Sequence, residues 1–145
     1  MARTWRIAFG AVLLAGGLSG VADAQHPRGY IRMPSGDSLP VWNLTRYPVR
    51  HDSMALVLDY ETRIELRDTT AVQREIITIW PLFRPAVEQA GLWTAAIRAV
   101  RFAPAAPVAS DLGAPRGRPV NLYGVVFRRN VRGSWYLLGD TVHLN

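Results

Sequence analysis

Three histidines, His26, His51 and His143, are the first candidates for acid–base or metal chemistry, because the ordinary pKa of histidine lies closest to neutrality. No two of them are separated by one helical turn, the spacing that places two metal ligands on one helix face. Cysteine, the other common ligand of zinc, is absent from the chain. We therefore expect solvated surface histidines, with no metal site and no cofactor.

Nucleophilic catalysis has no local signature in this sequence. There is no Gly-x-Ser-x-Gly motif, and the glycines of residues 113–117 lack the strand-to-helix context of a phosphate-binding loop. Asp59, Glu61 and Glu65 share one face of a predicted strand with Arg63, and two such carboxylates can act as an acid–base pair. A solvated strand face of mixed charge explains the same pattern. We expect no catalytic residue, although a triad assembled from distant positions stays open.

A cluster of arginines is the stronger functional feature. All 17 basic residues of the chain are arginine, and the formal net charge is +6. Five arginines end a long loop or flank a predicted hairpin turn: Arg116, Arg118, Arg128, Arg129 and Arg132. Four aromatic residues lie near them in sequence: Tyr123, Phe127, Trp135 and Tyr136. If loop and hairpin meet, this patch suits an anionic lipid headgroup, a glycan or an acidic protein.

Two other interpretations of the arginines remain. Ordinary solvated arginines would give the same pattern, particularly in a chain that uses no lysine. Nucleic acid is a disfavoured partner, because no recognised binding motif accompanies the charge.

The strands are predicted from apolar residues that alternate with polar ones. Met54–Leu66 alternates most strictly, which is typical of an antiparallel sheet with one buried and one solvated face. Further strands are predicted at Trp93–Phe102, Val120–Arg129 and Ser134–Leu138, and residues 140–145 can add a short fifth. The last two long strands form a hairpin through a turn over residues 130–133. Residues 103–119, rich in alanine, proline and glycine, are predicted as a long loop.

A single long helix is predicted from Thr69 to Ala90, because apolar residues recur there at helical spacing and a glycine follows. Residues 68–70 offer three candidate N-terminal caps. Pro81 and Pro85 lie inside the helix, yet the apolar stripe keeps its phase across both. This predicts one bent helix, or two abutting helices, with Trp80 at the bend.

The fold class that follows is α+β, with one long helix packed on a twisted antiparallel sheet of four to five strands, in the order strand-helix-strand-strand-strand. This arrangement is similar to cystatin-like and NTF2-like rolls. Residues 25–53 contain several prolines and no periodicity, so they are predicted as an extended lead-in with one short strand around Val41–Leu44. Residues 54–145 form the single domain.

The N-terminus predicts export. Residues 1–6 carry two arginines, residues 7–21 are apolar or small, and Ala22-Asp23-Ala24 fits the pattern of a signal peptidase site. We expect cleavage between Ala24 and Gln25 and a periplasmic or secreted protein. The apolar run is shorter than the roughly 20 residues of a membrane span, and no cysteine is present for a lipid anchor.

Three segments carry a resemblance to other proteins: Leu56–Thr62, Ile79–Pro85 and Glu88–Leu92. Through them the chain resembles small uncharacterised exported bacterial proteins. The resemblance implies a bacterial exported protein, and it assigns no activity and no functional residue.

Three functional hypotheses follow. The first is a non-enzymatic exported domain that binds an anionic envelope component or a partner protein. The second is a small NTF2-like enzyme or ligand-binding protein, with a pocket between sheet and helix lined by Tyr60, Thr62 and Trp80. The third is a cystatin-like protease inhibitor that acts through its loops. The sequence predicts no oligomeric state.

Overall fold

The computed structural model describes residues 26–49, 53–102 and 119–140. The expected signal peptide, residues 103–118 of the expected loop and residues 141–145 of the expected last strand lie outside the described residues. The described residues form an α+β fold with six strands and one helix. The elements are β1 (Gly29–Arg32), β2 (Ser38–Val49), β3 (Ser53–Glu61), α1 (Thr69–Gln89), β4 (Thr94–Phe102), β5 (Pro119–Arg129) and β6 (Trp135–Asp140).

All six strands belong to one open sheet, in the order β1-β2-β3-β4-β5-β6. Neighbouring strands are antiparallel except β3 and β4, which are parallel. The α+β class and the helix packed on a sheet are therefore confirmed. The prediction of four to five wholly antiparallel strands is wrong, because two strands precede β3 and the central pair is parallel.

The parallel pair follows from the length of α1. A helix of 21 residues is about 31 Å long, and the nine residues of β3 span about 30 Å. The helix therefore returns the chain to the end of the sheet at which β3 began. β4 starts there, with Thr94 beside Ala55, and runs in the same direction as β3.

The sheet extends over residues that the sequence assigned to a lead-in. Only one short strand was expected there, but β1 and β2 form a hairpin, and the 12 residues of β2 pair with β3 along most of its length. The turn between them contains Pro34 and Gly36, whose φ of 94° favours glycine. Pro40 and Pro48 lie within β2 itself. Because prolines are uncommon inside strands, the local sequence pattern did not predict β2 at its full length.

β3 is shorter than the predicted strand and ends at Glu61. The Thr62 backbone N–H donates to the Val100 carbonyl at 3.2 Å, and the Thr62 hydroxyl accepts the Ile64 N–H at 3.1 Å, which turns the chain away from the sheet. Leu56 and its alternate neighbours face the helix, as expected. The opposite face is less wet than expected, because Val57 is buried as well.

α1 begins and ends close to its predicted limits. Asp68 is the cap, and its carboxylate accepts the Ala71 N–H at 3.1 Å. Gly91, with a φ of 70°, follows the last turn. The helix is continuous through Pro81 and Pro85. The carbonyls that lose a partner belong to Ile77 and Pro81, which are both exposed residues on the solvent side of the helix. Its five buried side chains all belong to the predicted stripe, whose other two members, Trp80 and Ala90, are only partly buried. The five are Val72, Ile76, Ile79, Phe83 and Val87.

Candidate binding surface at the hairpin end

Five elements meet at one end of the sheet, which we call the hairpin end. β2 and α1 end there, β3 and β4 begin there, and the β5–β6 turn lies there. The turn is held by Asn130, whose side-chain oxygen accepts the N–H groups of Arg132 and Ser134 at 3.0 and 2.9 Å. Gly133 adopts a φ of 85°. The turn therefore presents its side chains from a fixed backbone.

Three of the five predicted arginines lie at the hairpin end. Arg128 and Arg132 are exposed, and neither forms an ion pair with another described side chain. Arg129 is held in place, because its Nε donates to the Gly133 carbonyl at 3.1 Å and its guanidinium lies 5.8 Å from the centroid of the Trp93 ring. Arg116 and Arg118 lie outside the described residues, so the expected contact between loop and hairpin stays a prediction.

A single carboxylate accompanies these arginines, among the side chains that the structure describes. It belongs to Glu88, which accepts from the Trp135 indole at 2.9 Å and from Arg84 at 2.8 Å. These two hydrogen bonds lower the pKa of Glu88, in that order of importance. Glu88 thus stays ionised but is already engaged by Arg84. The other described carboxylates lie near the middle of the sheet or towards its opposite end, and the hairpin end carries excess positive charge.

Exposed apolar and aromatic side chains surround the arginines. Val131, at the tip of the turn, is 93% exposed. Four more exposed side chains lie across the same end, from β2 to β6: Tyr47, Met54, Trp93 and Tyr136. Of the four aromatic residues predicted to accompany the arginines, only Tyr136 is exposed at this end. Tyr123 and Phe127 are buried in the core, and Trp135 packs against the helix. Strand pairing is what brings Tyr47 and Trp93 to this end, so no local pattern identified them.

The three predicted pocket residues lie between the sheet and the helix. The hydroxyls of Tyr60 and Thr62 both donate to Glu75 Oε1, at 2.8 and 2.6 Å. The Trp80 ring is stacked on Phe127 with centroids 4.0 Å apart and planes at 4°. Tyr60 and Thr62 are buried in this region, and Glu75 accepts a hydrogen bond from both hydroxyls. The cluster links β3 to α1.

The other face of the sheet carries a shallow groove of about 170 Å³. It is lined mainly by small and apolar side chains from four strands, among them Val49, Ala55, Val57, Thr94, Ala96 and Val126. Arg98 also lines the groove, and its guanidinium forms a bidentate pair with Asp59, whose carboxylate accepts from the Asn43 side chain as well. The candidate acid–base residues Asp59 and Glu61 are therefore engaged structurally, the latter by the indole N–H of Trp42 at 3.1 Å.

The buried phenol of Tyr60 predicts a loss of stability at high pH. Burial, and secondly the Glu75 carboxylate, raise the pKa of Tyr60 far above its ordinary value of 10.0. Above about pH 10 the unfolded chain ionises this tyrosine while the native protein keeps it protonated. We expect Tyr60 to reduce the free energy of unfolding by up to about 1.4 kcal/mol per pH unit in that range.

Urea unfolding of the wild-type protein and of Tyr60→Phe at several pH values above 9 measures this slope. The variant should lose the contribution, whereas Tyr30→Phe, at an exposed position, should keep the wild-type slope. Equal slopes for wild type and Tyr60→Phe would contradict the prediction.

No protein family, curated protein or solved structure matches this chain. Within residues 26–49, 53–102 and 119–140, no group of three or more histidine, cysteine, aspartate or glutamate side chains is arranged to hold a metal ion. The helix that the structure describes is not long and apolar enough to cross a membrane.

Proposed function

We propose that the protein is an exported, non-enzymatic binding domain that engages an anionic component of the cell envelope through its hairpin end. The observation that carries the proposal is the charge at that end. Arg128, Arg129 and Arg132 are accompanied there by one described carboxylate, Glu88, which Arg84 already engages. The remaining positive charge is available to a partner.

The form of the surface supports an anionic partner. The guanidinium group binds carboxylate or phosphate oxygens through two parallel N–H donors, and it is more weakly hydrated than an ammonium group. Arg129 is fixed over Trp93, while Arg128 and Arg132 extend from the fixed turn into solvent. A surface with one fixed and two exposed guanidinium groups suits an extended anionic surface or polymer better than one small ion.

The contacts of the candidate catalytic groups support a binding role over catalysis. Asp59 is held by Arg98, Glu61 by Trp42, and Glu75 by two buried hydroxyls. Each carboxylate accepts hydrogen bonds within the fold, so using it as an acid or base would first break structural contacts. The expected signal peptide, with cleavage between Ala24 and Gln25, would place the domain in the periplasm or outside the cell.

Binding to immobilised dextran sulfate, an anionic polysaccharide, tests the proposal at several salt concentrations. The protein is purified after export, and its N-terminus is checked by mass spectrometry so that residues 1–24 do not contribute. Each arginine near an anionic surface contributes about 1 kcal/mol. We therefore expect Arg128→Ser/Arg132→Ser to weaken binding about 30-fold at low salt and to reduce its salt dependence.

The matched control is Arg28→Ser/Arg32→Ser, which removes the same charge from exposed positions on β1 or next to it, away from the hairpin end. This variant should bind within about threefold of the wild-type protein, because screening weakens distant charges. Equal loss in the two double variants would show that only net charge matters. That result, or binding that is independent of salt, would overturn the assignment of the site.

A further inference from the structure

We infer that the anionic partner is a phospholipid bilayer, onto which the hairpin end docks with Val131 entering the headgroup region. The inference rests on the proposed function and adds the nature of the partner. Charge alone does not distinguish a bilayer from a hydrated polymer. The apolar side chains beside the arginines distinguish the two partners, because a bilayer offers these side chains an apolar environment and a hydrated polymer does not.

Val131 is the side chain that best distinguishes a bilayer from a hydrated polymer as the partner. It lies at the tip of the β5–β6 turn between Asn130 and Arg132, and it is 93% exposed. The turn itself needs polar residues and glycine, and Asn130 and Gly133 provide them. The valine therefore contributes nothing to the geometry of the turn. Exposed at the tip, it is the first side chain to reach a surface that the hairpin end approaches.

Further exposed residues lie at the same end, on both faces of the sheet. Tyr47 of β2 and Tyr136 of β6 belong to the groove face, whereas Met54 of β3 and Trp93, directly before β4, belong to the helix face. Four strand spacings separate β2 from β6, so these residues extend over about 19 Å. Tryptophan and tyrosine are enriched where membrane meets water, because each ring has an apolar body and a polar atom.

The arginines are at the right place to meet phosphate groups while the apolar residues enter the bilayer. Arg129 lies over the Trp93 ring, and Arg132 follows Val131 directly in the turn. A guanidinium beside an interfacial tryptophan and a guanidinium beside an inserting valine both lie at the depth of the headgroups. The same end thus combines phosphate-binding and bilayer-inserting groups, as a peripheral membrane surface requires.

Co-sedimentation with vesicles tests the inference, using the protein purified after export as above. One set of vesicles contains equal parts of phosphatidylglycerol and phosphatidylethanolamine, and the other contains phosphatidylcholine alone. We expect binding to the anionic set only. Val131→Ser should weaken this binding about three- to tenfold, since a buried apolar contact is lost. Val131→Phe should strengthen it severalfold, and a run without vesicles, together with the circular dichroism spectrum, separates this gain from aggregation or misfolding.

Ile77→Ser is the matched control, because Ile77 is an exposed aliphatic residue on α1. It should bind anionic vesicles like the wild-type protein. The Val131 variants should bind dextran sulfate unchanged, since the arginines are intact. Together these results separate insertion of the tip from the general effect of one fewer apolar side chain.

Four outcomes would overturn the inference. Equal binding to phosphatidylcholine vesicles would remove the need for anionic lipid. Unchanged vesicle binding by both Val131 variants would exclude insertion of the tip, while the proposed function would stand if the arginine variants still lose dextran sulfate binding. Loss of binding in Ala96→Leu, but not in Val131→Ser, would point to a lipid chain taken up in the groove. Failure to bind anionic vesicles would overturn the inference, and failure to bind dextran sulfate as well would overturn the proposed function too.

Discussion

Replacing Trp80 with alanine is expected to lower the free energy of unfolding by about 3–4 kcal/mol. The Trp80 ring stacks on Phe127 of β5, meets Trp135 of β6 edge to face with centroids 5.0 Å apart, and contacts Phe83 one turn further along α1. It therefore joins the C-terminal half of the helix to the two strands of the hairpin. Loss of the ring removes all three of these aromatic contacts.

Urea unfolding followed by circular dichroism measures this change. Ile77→Ala is the control on the same helix, and it should cost less than about 1 kcal/mol because Ile77 is exposed. The Trp80→Ala protein should also weaken binding at the hairpin end, since Trp135 and Arg129 depend on the same region. A loss of stability no larger than that of Ile77→Ala would show that the aromatic cluster is not part of the essential core.

Replacing Asp59 with alanine is expected to cost about 2–4 kcal/mol, the second largest effect. The carboxylate accepts from Arg98 Nε at 2.5 Å and from Arg98 Nη2 at 2.7 Å, in the bidentate geometry that gives strong pairs. The two side chains are only 14% and 21% exposed. Gly124 leaves room for the arginine, because a Cβ at that position would lie 3.1 Å from Arg98 Cγ. Without Asp59, a guanidinium remains largely out of water and unpaired.

A second ion pair provides the comparison. Arg101 and Glu65 also meet at 2.8 Å, but their side chains are 39% and 63% exposed. Glu65→Ala should therefore cost less than about 1 kcal/mol. The double variant Asp59→Ala/Arg98→Met should recover part of the loss, because it removes the unpaired charge together with its partner. Equal losses for Asp59→Ala and Glu65→Ala would show that burial does not strengthen the central pair.

Local pattern was sufficient for much of the fold. The apolar stripe from Val72 to Val87 determines which face of α1 is buried, because a helix presents side chains with a period of 3.6 residues. The glycine at position 91 follows the helix end, since a left-handed φ there favours glycine. The β5–β6 hairpin is encoded equally locally, by two strands on either side of a short polar turn. Each of these features depends on residues that are close in sequence.

The incorrect predictions concern strands and turns whose hydrogen-bond partners are distant in sequence. β2 is interrupted by prolines in its sequence, and its 12 residues form a strand because β1 and β3 pair with it on either side. The predicted strand from Met54 continued too far because the alternation persists after Glu61, whereas Thr62 bonds to Val100 and turns the chain. Period alone does not tell a strand from a turn that keeps the same alternation.

Neighbouring residues in the chain are enough to specify the helix, its buried face, the hairpin and the arginines around its turn. The position of Trp93 and Tyr47 beside those arginines, and of Tyr123 and Phe127 in the core, follows only from the folded chain. The same is true of the pairing of Asp59 with Arg98, 39 residues away. These contacts depend on sheet register, which joins residues of different strands and is set when the six strands pack together.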